Sequence, residues 1–96
     1  MAAPIFEEAK STRILHLNGK QLESIPTTVY SLTMITRLDL SDNLLTSLPP
    51  EISQMVNLEQ LWLSGNPIET IPSELQHCRK LKVLDLRDTK VMDIPR

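Results

Sequence analysis

Residue types that commonly signal covalent staples or cofactor loops are scarce in this chain: it has one cysteine, Cys78, and two glycines, Gly19 and Gly65. A lone cysteine excludes an internal disulfide and fits a reducing compartment. Two isolated glycines make no glycine-rich phosphate loop. Net charge is small as well, with ten basic residues against twelve acidic ones, so the sequence lacks the basic footprint expected for nucleic acid or for an anionic membrane surface. The first residues, Met1 to Lys10, hold no apolar run of signal-peptide or membrane-spanning length. Glu7 and Glu8 argue against a mitochondrial transit peptide, and none of Asn18, Asn43, Asn57 or Asn66 opens an Asn-x-Ser/Thr sequon. Together these absences lead to the expectation of a cytoplasmic chain. Its 96 residues suffice for a single domain, 1–96, with a modest stability margin.

What the sequence does have is period. Leu15, Leu38, Leu61 and Leu84 are spaced 23 apart, and Leu17, Leu40, Leu63 and Leu86 keep that interval. So do Leu22, Leu45, Ile68 and Val91, then Ile25, Leu48, Ile71 and Ile94, and finally Pro26, Pro49, Pro72 and Pro95. Shorter columns join Val29 with Ile52 and Leu75, Leu32 with Met55 and Cys78, and Ile35 with Leu58 and Leu81. The copies fall at about 12–34, 35–57, 58–80 and 81–96, the last covering 16 of 23 positions.

Within each copy a Leu-x-Leu pair alternates as a strand does when one face is buried. Asn18-Gly19, Asp42-Asn43 and Gly65-Asn66-Pro67 supply turns after the strands. The return limbs place apolar residues three apart behind a proline, as in Pro49 to Met55 and Pro72 to Cys78, which predicts a short helix or 3₁₀ turn. Such a unit cannot bury its apolar face alone, so four stacked copies should share one core under a parallel sheet. Ahead of them, Pro4 to Ala9 reads as a short helix within a cap at 1–11, with Ile5, Phe6 and Ala9 on one face.

This pattern resembles the leucine-rich repeat, and its Ile/Leu-Pro-x-x-Ile-x-x-Leu second half is similar to the intracellular Ras-group type, over Thr12 to Arg96. The resemblance implies an α/β solenoid: a right-handed βα superhelix with a short parallel sheet on its concave side and loops, 3₁₀ turns or short helices on its convex side. It also implies that Asn43 and Asn66 turn inward to satisfy backbone groups along the stack. Lys20 and Thr89 hold the matching positions in the outer copies, where Thr89 is the better substitute.

No catalytic constellation emerges. Cys78 and His77 are neighbours, yet Cys78 occupies the apolar column of Leu32 and Met55, so the pair should face opposite ways. With His16 as the only other histidine, on another copy, a zinc site lacks ligands. The acid pairs Asp39 with Asp42 and Asp85 with Asp88 do not fit a calcium loop. The expectation is therefore a non-enzyme without metal or cofactor.

Residues between the inward leucines should form columns on the concave face: His16, Asp39, Trp62 and Asp85, preceded by Ile14, Arg37, Gln60 and Val83, and followed past the strands by Asn18, Ser41, Ser64 and Arg87. The pattern exposes Trp62, although tryptophan is a costly side chain to leave in water. Two readings stand side by side. Trp62 is an anchor for a protein or peptide, with Asp39 and Asp85 receiving basic or hydrogen-bond-donating groups and Arg37, Gln60, His16 and Arg87 around them. Alternatively it lies flat, packed over Gln60 and its cross-strand neighbours. The strands offer only about 200–300 Å², below the roughly 800 Å² each partner gives to a standard interface, so flanking loops such as that of Leu44, further repeats or a short ligand are implied. The fourth copy, with an open edge at Val83 to Leu86 and Leu81, Val91 and Ile94 behind it, suggests a homodimer as the alternative, or the repeat segment of a larger signalling protein.

Overall fold

The computed structural model describes residues 4–91, with side chains from residue 6 onward. The chain opens with helix α1, Pro4–Thr12. It then alternates four three-residue strands, β1 Ile14–His16, β2 Arg37–Asp39, β3 Gln60–Trp62 and β4 Val83–Asp85, with 3₁₀ turns at Thr27–Ser31, Pro50–Gln54 and Ser73–His77. All four strands are parallel in the order β1-β2-β3-β4, with Leu15, Leu38, Leu61 and Leu84 in register. The 23-residue interval is thus the register of the sheet itself.

The ladder runs on past the strands. Leu17, Leu40 and Leu63 donate their amides to Asp39, Trp62 and Asp85 carbonyls at 2.8, 2.8 and 2.9 Å, and Gly19, Asp42 and Gly65 repeat the pattern two residues later. At that second step the chain must turn inward, and one column, Gly19, Asp42, Gly65 and Asp88, takes φ of 65°, 57°, 73° and 57°. Glycine adopts this left-handed conformation freely and aspartate is among the side chains that tolerate it best.

Apolar spacing of three matches the three residues per turn of a 3₁₀ helix, which explains why the return limbs settle as 3₁₀ turns. Val29, Ile52 and Leu75 point into the core from them, and Met55 and Cys78 follow at their ends. Leu15, Leu38 and Leu61 are fully buried, whereas Leu84 and Leu86 in β4's copy are only partly so, because among the described residues no further copy lies beyond them. Ile94 and Pro95, the last members of their columns, lie outside the described residues.

Helix α1 extends past the expected Ala9. Ser11 and Thr12 hydroxyls donate to the Glu8 carbonyl at 3.0 and 3.1 Å, and Arg13, at φ 66°, donates its amide to the Ala9 carbonyl at 2.7 Å. That left-handed residue ends the helix and releases the chain into β1. Ala9 is buried and Phe6 partly so against the core, which makes α1 the cover of the first copy.

Two asparagines hold the turns of adjacent copies together. Asn43 is 4% exposed: its Oδ1 accepts from the Lys20 and Leu22 amides, and its Nδ2 donates to the Leu17 and Leu40 carbonyls at 2.9 Å each. Asn66, 1% exposed, accepts from the Leu45 amide at 3.1 Å and donates to Leu40 and Leu63 carbonyls at 2.9 and 3.0 Å. In the fourth copy Thr89 Oγ1 donates to the Leu86 carbonyl at 2.7 Å, while Lys20 is exposed. A threonine has only part of the reach of an amide, so the ladder thins there.

Candidate functional site

Because consecutive side chains of a strand alternate, the leucine between each pair of sheet residues goes inward and its neighbours share the open face. The register sets His16 beside Asp39, Asp39 beside Trp62 and Trp62 beside Asp85, with Ile14, Arg37, Gln60 and Val83 in the adjacent row. All seven sequence-derived candidates therefore lie on one face, with Arg87 just past the end of β4.

Trp62 is partly buried, between the free exposure its place in the pattern gives and the flat packing of the second reading. Its indole Nε1 donates to Gln60 Oε1 at 3.2 Å, and the Arg37 guanidinium sits 5.2 Å from the ring centroid. Arg37 reaches it diagonally, from the next strand and one row back, the separation that long side chains span across a sheet. A cation held over an indole face is attracted by the ring quadrupole, worth about 0.5–1 kcal/mol at a partly exposed site. Arg37 Nε is buried and has no hydrogen-bond partner among the described residues. The guanidinium is thus held by the ring, not by a carboxylate.

The two acids differ from the expected pair of open acceptors. Asp85 is buried at 8% exposure, and its carboxylate is occupied by its own copy. Oδ1 accepts from Arg87 N and Nε at 3.1 and 2.9 Å, and Oδ2 from Arg87 Nη2 at 2.8 Å. Side-chain hydrogen bonds from Arg87 hold the Asp85 carboxyl below its ordinary range, against the desolvation that opposes them. The physical reason is the strand's own alternation, since residues two apart share a face. Asp39 repeats the arrangement with a neutral partner: Oδ1 accepts from Ser41 N and Oγ at 3.1 and 2.6 Å, leaving Oδ2 facing His16 Nδ1 at 4.0 Å. His16 and Arg87 are exposed. Ser41 stands in the same column as Arg87 but is not among the site candidates, although the same two-residue spacing marks it.

The face is therefore a half-buried aromatic platform, braced by Gln60 and Arg37, between one partly free acid and one neutralised one. It offers stacking and hydrogen bonding. Cys78 is buried at 4% exposure, its Sγ donating to the Ile52 and Met55 carbonyls at 3.5 and 3.7 Å, and burial pushes its thiol pKa up. His77 is exposed on the opposite side. Leu44, in the loop after β2, is 50% exposed, and Val56 is 53% exposed.

A sheet of four parallel three-residue strands, one per 23-residue copy, with inward asparagines at the turns, defines a leucine-rich repeat solenoid. The family model described as Leucine Rich repeats (2 copies) matches residues 33–77 and 56–96. The chain belongs to the leucine-rich repeat family, whose domains are generally protein-interaction modules and usually non-catalytic. Among solved structures, a leucine-rich repeat protein of Leptospira interrogans is 33% identical with a TM-score of 0.81, over 84% of this chain and 21% of that one. The Toll–Spatzle complex of Drosophila, described as a molecular hub in development and innate immunity, matches at 38% identity and a TM-score of 0.70, over 79% of this chain and 10% of that one. The chain thus spans about a fifth and a tenth of the lengths of these relatives. A comparison with curated proteins found no match.

Proposed function

We propose that this chain is a non-catalytic interaction module that receives a segment of another protein on the concave face of its sheet, with Trp62 as the anchor. The observation that carries this reading is the bracing of the indole: one hydrogen bond to Gln60 and one stacked guanidinium fix the ring before any partner arrives. A fixed aromatic loses little conformational entropy on binding, which is how interface hot spots concentrate affinity. Arg37, Gln60 and the free oxygen of Asp39 set the polar contacts around it, with His16 and Arg87 at the rim. Exposed Leu44 extends the contact beyond the strands. The proline column of Pro26, Pro49, Pro72 and Pro95 supports the Ras-group type within the family, and the lone buried cysteine suits a cytoplasmic setting. Comparing proteins retained by wild type and by Trp62→Ala tests the assignment. A hot spot predicts about 2 kcal/mol of lost affinity, roughly thirtyfold, with the fold intact. Unchanged affinity together with lowered stability would assign the ring to packing instead.

The partial burial of Leu84 and Leu86 favours a second reading, in which the outer edge of β4 pairs with another copy of the chain. Sedimentation at tens of micromolar tests it, and a monomer there would remove it.

A further inference from the structure

On the return limbs of the first two copies, away from the strands, lies a cavity of about 530 Å³. The first copy contributes Glu23, Ile25 and Tyr30, and the second Pro49, Glu51 and Gln54, with serine and threonine hydroxyls between them. No lining residue is basic. Tyr30 is the feature without a counterpart: Ser53 and Gln76 hold its column in the next copies. It is 7% exposed, and its hydroxyl makes no hydrogen bond within the chain among the described residues. Among the described residues only Arg37 Nε is both buried and unpaired, so the Tyr30 hydroxyl meets the solvent of the cavity. Burial and the nearby Glu51 charge push its pKa up to about 12, so at neutral pH it is an intact O–H that can both donate and accept.

We propose that this cavity is a second binding site, taking a cationic side chain of an extended peptide, with a guanidinium fitting better than an ammonium. Two exposed carboxylates with no basic residue in the lining favour a positive ligand, and the Tyr30 oxygen, the Gln54 carbonyl and the serine hydroxyls can accept from its donors. A planar guanidinium brings five N–H donors, whereas an ammonium brings three from a point charge. Ile25 and Pro49 supply apolar walls for the aliphatic stem of such a side chain. The volume lies within the range of small-ligand cavities, about 300–1,000 Å³. This site is independent of the sheet face, since none of its residues belongs to a strand.

The test is an amide-resolved NMR titration of the whole chain with acetyl-Gly-Arg-Gly-amide, its citrulline counterpart and its lysine counterpart. Saturable shifts at the Ser31, Ser47 and Gln54 amides are expected with arginine, weaker ones with lysine and none with citrulline. Glu23→Gln combined with Glu51→Gln, both at exposed positions, should weaken arginine binding at least about tenfold, the usual scale of a lost charged hydrogen bond. Tyr30→Phe keeps the ring and should weaken it about three- to tenfold. Equal binding of the citrulline peptide, shifts confined to the Trp62 indole, or no saturable shift with arginine would overturn the proposal. An unchanged affinity in the double glutamine variant would overturn it equally, whether or not Tyr30→Phe folds.

Discussion

Removing the side chain amide of Asn66 should damage this protein more than removing any exposed polar group. In Asn66→Ala the Leu45 amide loses its 3.1 Å acceptor and the Leu63 carbonyl its 3.0 Å donor, both inside the stack. Each buried group left unpaired costs about 1–3 kcal/mol, and the small void adds to it, so the expected loss is about 3–5 kcal/mol. At roughly 0.05–0.15 kcal/mol per residue a chain of 96 residues has about 5–14 kcal/mol in hand. The variant should thus unfold at a markedly lower urea midpoint, read by circular dichroism. Asn57→Ala serves as control, since its amide donates to the Thr33 carbonyl at 2.8 Å in an exposed setting, and should cost under about 1 kcal/mol. The shared acceptor adds a sharper test. The Leu40 carbonyl takes Nδ2 of both Asn43 and Asn66, each at 2.9 Å, so either single variant leaves it one donor. Only the double variant strips both, and it should cost about 1 kcal/mol more than the sum of the singles. An Asn66→Ala midpoint matching that of Asn57→Ala, or strict additivity in the double variant, would refute the reasoning.

Three further outcomes follow from the same geometry. Gly65→Ala should cost more than Gly19→Ala, because both turn at positive φ but only at Gly65 would a Cβ run into the Asp42 carboxylate; since that exposed carboxylate can swing aside, urea melts should separate them by less than about 1 kcal/mol, and Asp42→Gly should narrow the gap. Tyr30, the single tyrosine, ionises at 10.0 when unfolded and at about 12 when folded, so its contribution is whole below pH 10 and disappears as pH rises to 12. Absorbance titration should show late ionisation, and Tyr30→Phe should flatten the loss of stability across that window. For Asp85 the folded pKa is lowered from 3.8, so its contribution is present above that value and lost as pH falls below it; Arg87→Ala should make acid unfolding profiles less steep there.

Five columns in register made the strands, their parallel order and the buried leucines legible, since a fixed interval in sequence becomes a fixed register in a stack. The open face was legible to the same extent: alternation alone assigns Asp39, Trp62 and Asp85 to it. Side-chain pairing across that face was not. Arg37 stacks on Trp62 through a diagonal approach that no column displays, and the capture of Asp85 by Arg87 shows only when positions two apart are read as neighbours. Tyr30 escaped altogether, because column analysis rewards agreement and its lone departure on the return limb carried no partner in sequence.

The inward asparagines give the stack a direction. Asn43 serves Lys20 and Leu22 of the copy before it, and Asn66 serves Leu45 and Leu40 of the copy before it. The turns of the first and second copies are each completed by an asparagine of the next copy, whereas Thr89 bonds only within the fourth. Peeling a copy from the C-terminal side therefore strips side-chain partners from backbone groups of the copy left behind, whereas peeling the first copy from the N-terminal side leaves the Asn43 side-chain amide and the Leu44 backbone amide without their partners in that copy. Under tension applied across the two ends, the solenoid should behave as a ratchet with unequal teeth, resisting extraction from one side by a different sequence of ruptures than from the other.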